Sequence, residues 1–383
     1  MEVYCDHCAT TPLDPRVEQT MQPYWRDQFG NPSSVHHVGQ RARAAVEQAR
    51  RTVARAIGAQ PDDIVFTSSA TEANNLAIRG SLSAARKKPV HLATACIEHA
   101  CVIETCRQIE RLETACSVTV IACRDRGVMR MEDVVAALRP ETCLVALMHV
   151  NNETGMIQPV TELGRALRDR GVRLLCDAVQ SLGRVPFSVD ELGCDYLSLS
   201  SHKIYGPQGV GALCVRRGAP LEPMLVGGGQ ERGFRAGTEN VAGIVGFAAA
   251  VELAVREQNA RRAHLEQCEA AFLETLERAR IPWAINGAMS LRGPGILNLS
   301  FPGFSGADLV IALDLEGIAV SGGAACGSGV PEPSHVLAGM GLEGDRLRGA
   351  VRFSFGMGNT PDEARWVGER VAALVRRRIL CRD

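Results

Sequence analysis

The chain has 383 residues, more than one core usually accommodates, since single cores stop growing near roughly 250–300 residues. Its 42 Lys and Arg residues nearly balance 43 Asp and Glu residues, and with no long block of one sign the electrostatic case for binding nucleic acid or a membrane surface is missing. No run approaches the roughly 18 apolar residues of a membrane span, and the opening MEVYCDHCATT lacks leader character, so the 14 scattered cysteines point to a reducing, cytoplasmic setting where free thiols survive.

In chain order, VGQRARAAVEQARRTVARAI (38–57) places Val46, Ala49, Val53 and Ile57 at helical spacing and predicts an amphipathic helix. Asp63–Thr67 is a short β-favouring run that leads through Ser68-Ser-Ala-Thr71 into the helix-like EANNLAIRG. The pattern repeats at His91–Cys96, Cys143–Val150, Arg173–Val179 and Asp195–Ser201, with helical stretches such as TELGRALRDRG between strands. Alternation of this kind predicts an α/β fold with a mostly parallel sheet covered on both faces. After the glycine-rich Gly227–Gly233 loop, a long helical run from Val241 to about Arg280 is expected to cross into a smaller α+β domain that contains Ile296–Phe301, Ala307–Gly317 and Val351–Gly356. The expected division is a large domain over 13–260 and a small one over 1–12 and 261–383. Arg376, Arg377 and Arg378 read as a solvated helix end that complements the dipole, ahead of a docking patch.

Several residues carry chemistry if they meet. Ala70 and Thr71 sit between a strand and a helix, where free N–H groups favour a phosphate, although Ser and Thr before a helix are often simple caps. Asp177 and Lys203 fall at the ends of two predicted strands, the positions that line the ligand crevice of open α/β sheets. An acid there can pair with a protonated ring nitrogen and a lysine can form a Schiff base with an aldehyde cofactor; a cap and a surface lysine are the bland alternatives. Ser321–Pro333 holds Cys326 among glycines and prolines, which predict a mobile loop with sharp turns. Cys5 and Cys8 form a C-x-x-C read as packing ahead of redox activity or metal binding; with no second pair nearby, no metal site is expected.

The motifs Ser68–Asn75 (S-x-A-T-E-x-N-N), Asp177–Gln180 (D-A-x-Q), Ser200–Gly209 (S-x-H-K-x-x-G-P-x-G) and Ala325–Ser328 (A-C-x-S) together resemble the NifS/IscS-type cysteine desulfurases of the class V aminotransferases, nearly from end to end. The resemblance implies a fold-type I pyridoxal 5′-phosphate transferase with a sheet of the seven-stranded type. It makes Lys203 the Schiff-base lysine, Asp177 the partner of the ring nitrogen, Gln180 that of the ring hydroxyl, and His99 the stacking histidine and proton carrier. Ala70, Thr71, Ser200, His202 and Thr238 are implied at the phosphate, with Thr238 contributed by the neighbouring subunit of a homodimer. Arg352 and Asn152 are implied at the α-carboxylate of L-cysteine, and Cys326 as the thiol that becomes a persulfide.

The spacing from Cys326 to Ser334 matches the long-loop branch, which passes persulfide directly to acceptor proteins and here favours cysteine over selenocysteine. The chain stops soon after its last predicted helix, so a scaffold-docking tail is not expected. Iron–sulfur cluster assembly, tRNA thiolation and DNA phosphorothioation stay open as destinations. An aminotransferase or lyase of the same fold, without sulfur transfer, is the rival reading.

Overall fold

The structure, a computed structural model, describes residues 1–85, 89–123, 126–322 and 333–380. Its seven-stranded sheet comprises β1 (Ile64–Thr67), β2 (Val90–Ala95), β3 (Cys116–Ile121), β4 (Thr142–Ala146), β5 (Arg173–Asp177), β6 (Tyr196–Ser200) and β7 (Gly211–Val215). The spatial order is β1-β7-β6-β5-β4-β2-β3, with β2 to β6 paired in parallel and β7 antiparallel to both β1 and β6. Helices cover both faces, so β1, β2, β6 and β7 are buried at every residue, and neighbours such as Leu174 and Leu175 feed different cores. The mostly parallel α/β architecture expected from the sequence is therefore the observed one.

Two strands of this sheet escaped the sequence reading. β3 is an edge strand with a half-exposed middle; its Cys-Ser-Val-Thr-Val run does alternate apolar and polar residues, a signal the sequence reading passed over. β7 is the short run Gly-Ala-Leu-Cys-Val, and its first residue has a structural reason to be glycine: a Cβ on Gly211 would lie 2.8 Å from the Ser69 carbonyl carbon. The missing side chain lets β7 pack directly against the turn that starts the helix Ala70–Ala84.

The amphipathic helix spans His37–Ile57; the His36 ring accepts the Gly39 N–H at its start, and Gly58 ends it at φ +70°. The expected single helix from Val241 to about Arg280 is instead two, Val241–Arg256 and Gln258–Ala279. Between them the Glu257 carboxylate accepts from Arg16, Arg256 and Arg261 and ties the junction to the N-terminal segment.

A second core gathers Val3, Cys5, Phe272, Leu297, Phe353 and Val371 around an antiparallel sheet of Ala284–Ile285, Ile296–Ser300 and Ala350–Ser354. Residues Val3–Tyr4 pair in parallel with Ile318–Ala319, after which the chain runs to the main sheet, where the Thr11 N–H donates to the His202 carbonyl at 3.0 Å. Arg376, Arg377 and Arg378 are exposed near the end of the helix Pro361–Leu380. Among the described residues no helix is long and apolar enough to cross a membrane.

Candidate active site

The carboxyl ends of the parallel strands open on a cavity of about 430 Å³. Asp177 and Ser200 are the last residues of β5 and β6, so the sheet itself fixes where their side chains start. His202 and Lys203 follow Ser200 in one tight turn, and all four line the cavity. Ala70 and Thr71 line it from the first turn of the helix after β1, where N–H groups have no acceptors within the helix. His99 caps the helix Ala100–Leu112 after β2; Asn152 comes from the loop after β4 and Gln180 from the turn after β5.

Arg352 reaches the same cavity from the second core, on the strand Ala350–Ser354. Its guanidinium donates to the Asp6 carboxylate at 2.6 Å and to the Asn152 carbonyl at 3.0 Å, while its buried Nε has no partner. Burial opposes its charge, but Cys8, Asp6 and Glu153 more than offset that and leave its pKa raised. It is a committed cation beside the cavity, suited to an anionic substrate group.

The Lys203 amine donates to the carbonyls of Cys8 at 2.7 Å and Ala9 at 2.6 Å. Burial, aided by the Arg352 charge, lowers its pKa, which favours the neutral, nucleophilic amine. Burial likewise lowers His99, and takes His202 down to about 4, so His202 enters as a neutral ring, 3.0 Å from the Thr10 hydroxyl. Asp177 accepts from the Asn74 amide at 2.8 Å and from the Val179 N–H at 3.0 Å, which holds its carboxylate in one orientation.

Two further polar atoms on this wall, Gln180 Oε1 and Asn152 Oδ1, are buried without a partner. Orphaned acceptors in a walled cavity mark a place for a polar ligand. A helix N-terminus for an anion, a strand-end carboxylate for a ring nitrogen and a buried lysine of lowered pKa for an aldehyde make a donor set that fits pyridoxal phosphate.

Thr238 is exposed and does not line this cavity of its own chain. Cys326 lies outside the described residues. The sequence reading missed other wall residues: Cys8, Cys101, Glu153 and His335. Cys5 packs into the second core and Cys8 into a small cluster with Val150, Val185 and Ile296, as expected, and Cys8 also borders the cavity. His335 had a signal, since it directly follows the Ser334 used to judge the loop. Glu98, next to His99, is fully buried, accepts the Met148 N–H at 2.6 Å, and has its pKa pushed up to about 8 by burial. Among the described residues no group of three or more His, Cys, Asp or Glu is arranged to hold a metal ion.

Fold and cavity together define a fold-type I transferase of the pyridoxal-phosphate class. The aminotransferase class-V model matches residues 3–367. A cysteine desulfurase IscS of Dictyoglomus turgidum is 42% identical over 362 residues, covering 94% of this chain and 91% of its own. A NifS-like protein of known structure superposes with a TM-score of 0.92 at 35% identity, covering 98% of this chain and all of the other. DndA from Streptomyces lividans superposes at 0.78 with 38% identity, over 91% of this chain and 98% of its own. The chain belongs to the class-V aminotransferases, in the cysteine desulfurase family.

Proposed function

We propose that this chain is a pyridoxal-phosphate-dependent cysteine desulfurase that converts L-cysteine to L-alanine and holds the sulfur as a persulfide on Cys326. The observation that carries this reading is the cavity lined together by a buried lysine of lowered pKa, a strand-end aspartate and a buried arginine.

When bound, pyridoxal phosphate supplies an electron-accepting ring that weakens bonds at the substrate α-carbon. Ala70, Thr71, Ser200 and His202 hold the phosphate, and Thr238 joins them from a second copy of the chain. Asp177 would keep a proton on the ring nitrogen, Gln180 would bind the ring hydroxyl and His99 would stack on the ring. Lys203 would hold the cofactor through its amine, and that amine would take the α-proton of the substrate.

Arg352 and Asn152 orient the substrate carboxylate. The Cys326 thiolate attacks the substrate sulfur: an S–S bond forms on the protein, the carbon–sulfur bond breaks, and the carbon skeleton leaves as alanine once protonated. The sulfur passes to an acceptor protein, in iron–sulfur cluster assembly or in a dedicated thiolation route to tRNA or DNA.

The homodimer reading rests on Thr238, which is exposed and away from the cavity of its own chain. A sedimentation mass of one chain would contradict it. For the activity, the holoenzyme with L-cysteine and a reductant releases alanine and sulfide in equal amounts. The Cys326→Ser variant still binds cysteine but forms neither product; normal alanine release by that variant would overturn the assignment.

A further inference from the structure

A polar side chain stands in the apolar stripe of the helix Ala70–Ala84. Ala70, Ala73, Ala77 and Ile78 follow the helical period of its buried face, and Asn74 lies among them, fully buried. A buried amide costs stability unless its hydrogen bonds are made. The neighbouring Asn75 shows the ordinary case, with partners Thr71 and Arg79 on its own helix and Thr105 on the next. Asn74 instead donates to the Asp177 carboxylate, 103 positions along the chain, at 2.8 Å. The opposite setting of the amide would bring two acceptors into contact, so the N–H group must face the carboxylate. The second N–H points to the Cys101 sulfur at 3.4 Å, and Oδ1 is left buried without a partner.

Asp177 receives one hydrogen bond on each oxygen, from Asn74 on Oδ2 and from the Val179 N–H on Oδ1, and both donors are neutral. Asp177 lines the cavity and Asn74 does not, so the amide stands behind the carboxylate, away from any ligand. Neighbouring groups that could carry a competing negative charge are held neutral. Burial, reinforced by the Asp177 charge, pushes the Cys101 thiol up to about 12, raises Cys176 well above the usual thiol range and takes Glu98 to about 8. Negative charge is thus concentrated on one strand-end carboxylate whose back is fixed by neutral donors.

We infer that Asn74 is a positioning residue that keeps the proton on the cofactor's ring nitrogen by holding the Asp177 carboxylate in its charged form; the inference rests on the pyridoxal-phosphate reading of the cavity. A carboxylate that accepts hydrogen bonds keeps its charge and leaves a shared proton on its partner. Without the Asn74 donor that proton moves from the ring nitrogen to Asp177: an N–H bond breaks, an O–H bond forms, and both groups become neutral. The ring then draws electrons less strongly and loses the charge that ties it to the sheet.

Asn74→Leu matches the amide in size but has no donor, and Asn74→Ala serves as a second variant if leucine prevents folding. Cofactor-free wild type and variants are titrated with pyridoxal phosphate and with its deaza analogue, in which a C–H group replaces the ring nitrogen. The variants should bind pyridoxal phosphate about 10- to 100-fold more weakly, the usual scale for one hydrogen bond to a charged group, yet bind the analogue as the wild type does. An equal loss for both ligands would show that Asn74 only supports the fold, and no loss for either would show that it does nothing for the ring; each result overturns the inference. Nitrogen-15 spectra of ring-labelled cofactor give a second readout. Near neutral pH the ring nitrogen should be protonated in the wild type and shifted toward the unprotonated form in the variants, and a fully protonated ring in the variants would contradict this. A wild type that does not prefer pyridoxal phosphate to the analogue sinks the placing of Asp177 at the ring nitrogen, whereas a preference that survives intact in the variants sinks only the role of Asn74.

Discussion

The two sides of the cavity are built in different ways. On the sheet side, Asp177, Ser200 and Lys203 stand at or just beyond strand ends, so hydrogen-bonded backbone sets their positions and contiguous motifs encode them. On the other side, Arg352 belongs to the second core, and its place depends on Asp6 and Asn152, which come from distant parts of the chain. On the proposed reading, groups for the cofactor sit on the rigid side, and groups for the substrate on the side assembled by tertiary contacts. A class-V scaffold arranged like this can change its substrate chemistry without disturbing the sheet.

Substitutions on the two sides should therefore fail differently. The largest effect is expected from Lys203→Ala, which removes the covalent anchor and should cut alanine formation by roughly a thousand-fold or more while thermal unfolding shifts little. Loss of folding in this variant would show that the sheet side depends on the amine for its structure. Arg352→Gln comes next. It should raise KM for cysteine and lower kcat/KM by about 10- to 100-fold, the worth of one or two charge-assisted hydrogen bonds, without preventing cofactor binding. Loss of the cofactor absorbance in that variant would erase the distinction between the two sides.

The smallest effect is on stability, through Glu98. Its carboxyl is raised from an ordinary value near 4.5 to about 8, so between those values the folded chain holds a proton that the unfolded chain has released. That stabilisation is complete below about pH 4.5 and disappears as pH rises through about 8, with a slope on the order of 1 kcal/mol per pH unit. Glu98→Gln keeps an acceptor for the Met148 N–H and should flatten this slope in denaturant titrations at several pH values. An unchanged slope would place the pH sensitivity elsewhere.

The sheet side was legible in the sequence for the reason that makes it rigid: strand, turn and functional residue are consecutive, as in Arg173–Gln180 and Asp195–Lys203. The Arg352 strand was legible too, because V-R-F-S is a short apolar run with a family match. Harder to read were groups whose surroundings come from far along the chain. The Ser334–Glu153 contact joins residues 181 positions apart, and nothing local to Glu153 announces it. Cys8 does pack, against Val150, Val185 and Ile296, and what the sequence did not show is that the path of the N-terminal segment also brings it to the edge of the cavity. The break at Glu257 was hidden for a similar reason, since its arginine partner Arg16 lies at the other end of the large sheet's sequence.

The most direct test joins the two chemical ends of the molecule in one turnover. Holoenzyme given a single equivalent of sulfur-labelled L-cysteine without reductant should carry one cyanide-releasable labelled sulfur on Cys326, with one alanine released, and Lys203→Ala should carry none. Label found on another cysteine such as Cys8, or alanine formed with Cys326 unlabelled, would contradict the assignment of sulfur transfer to this cavity and this thiol.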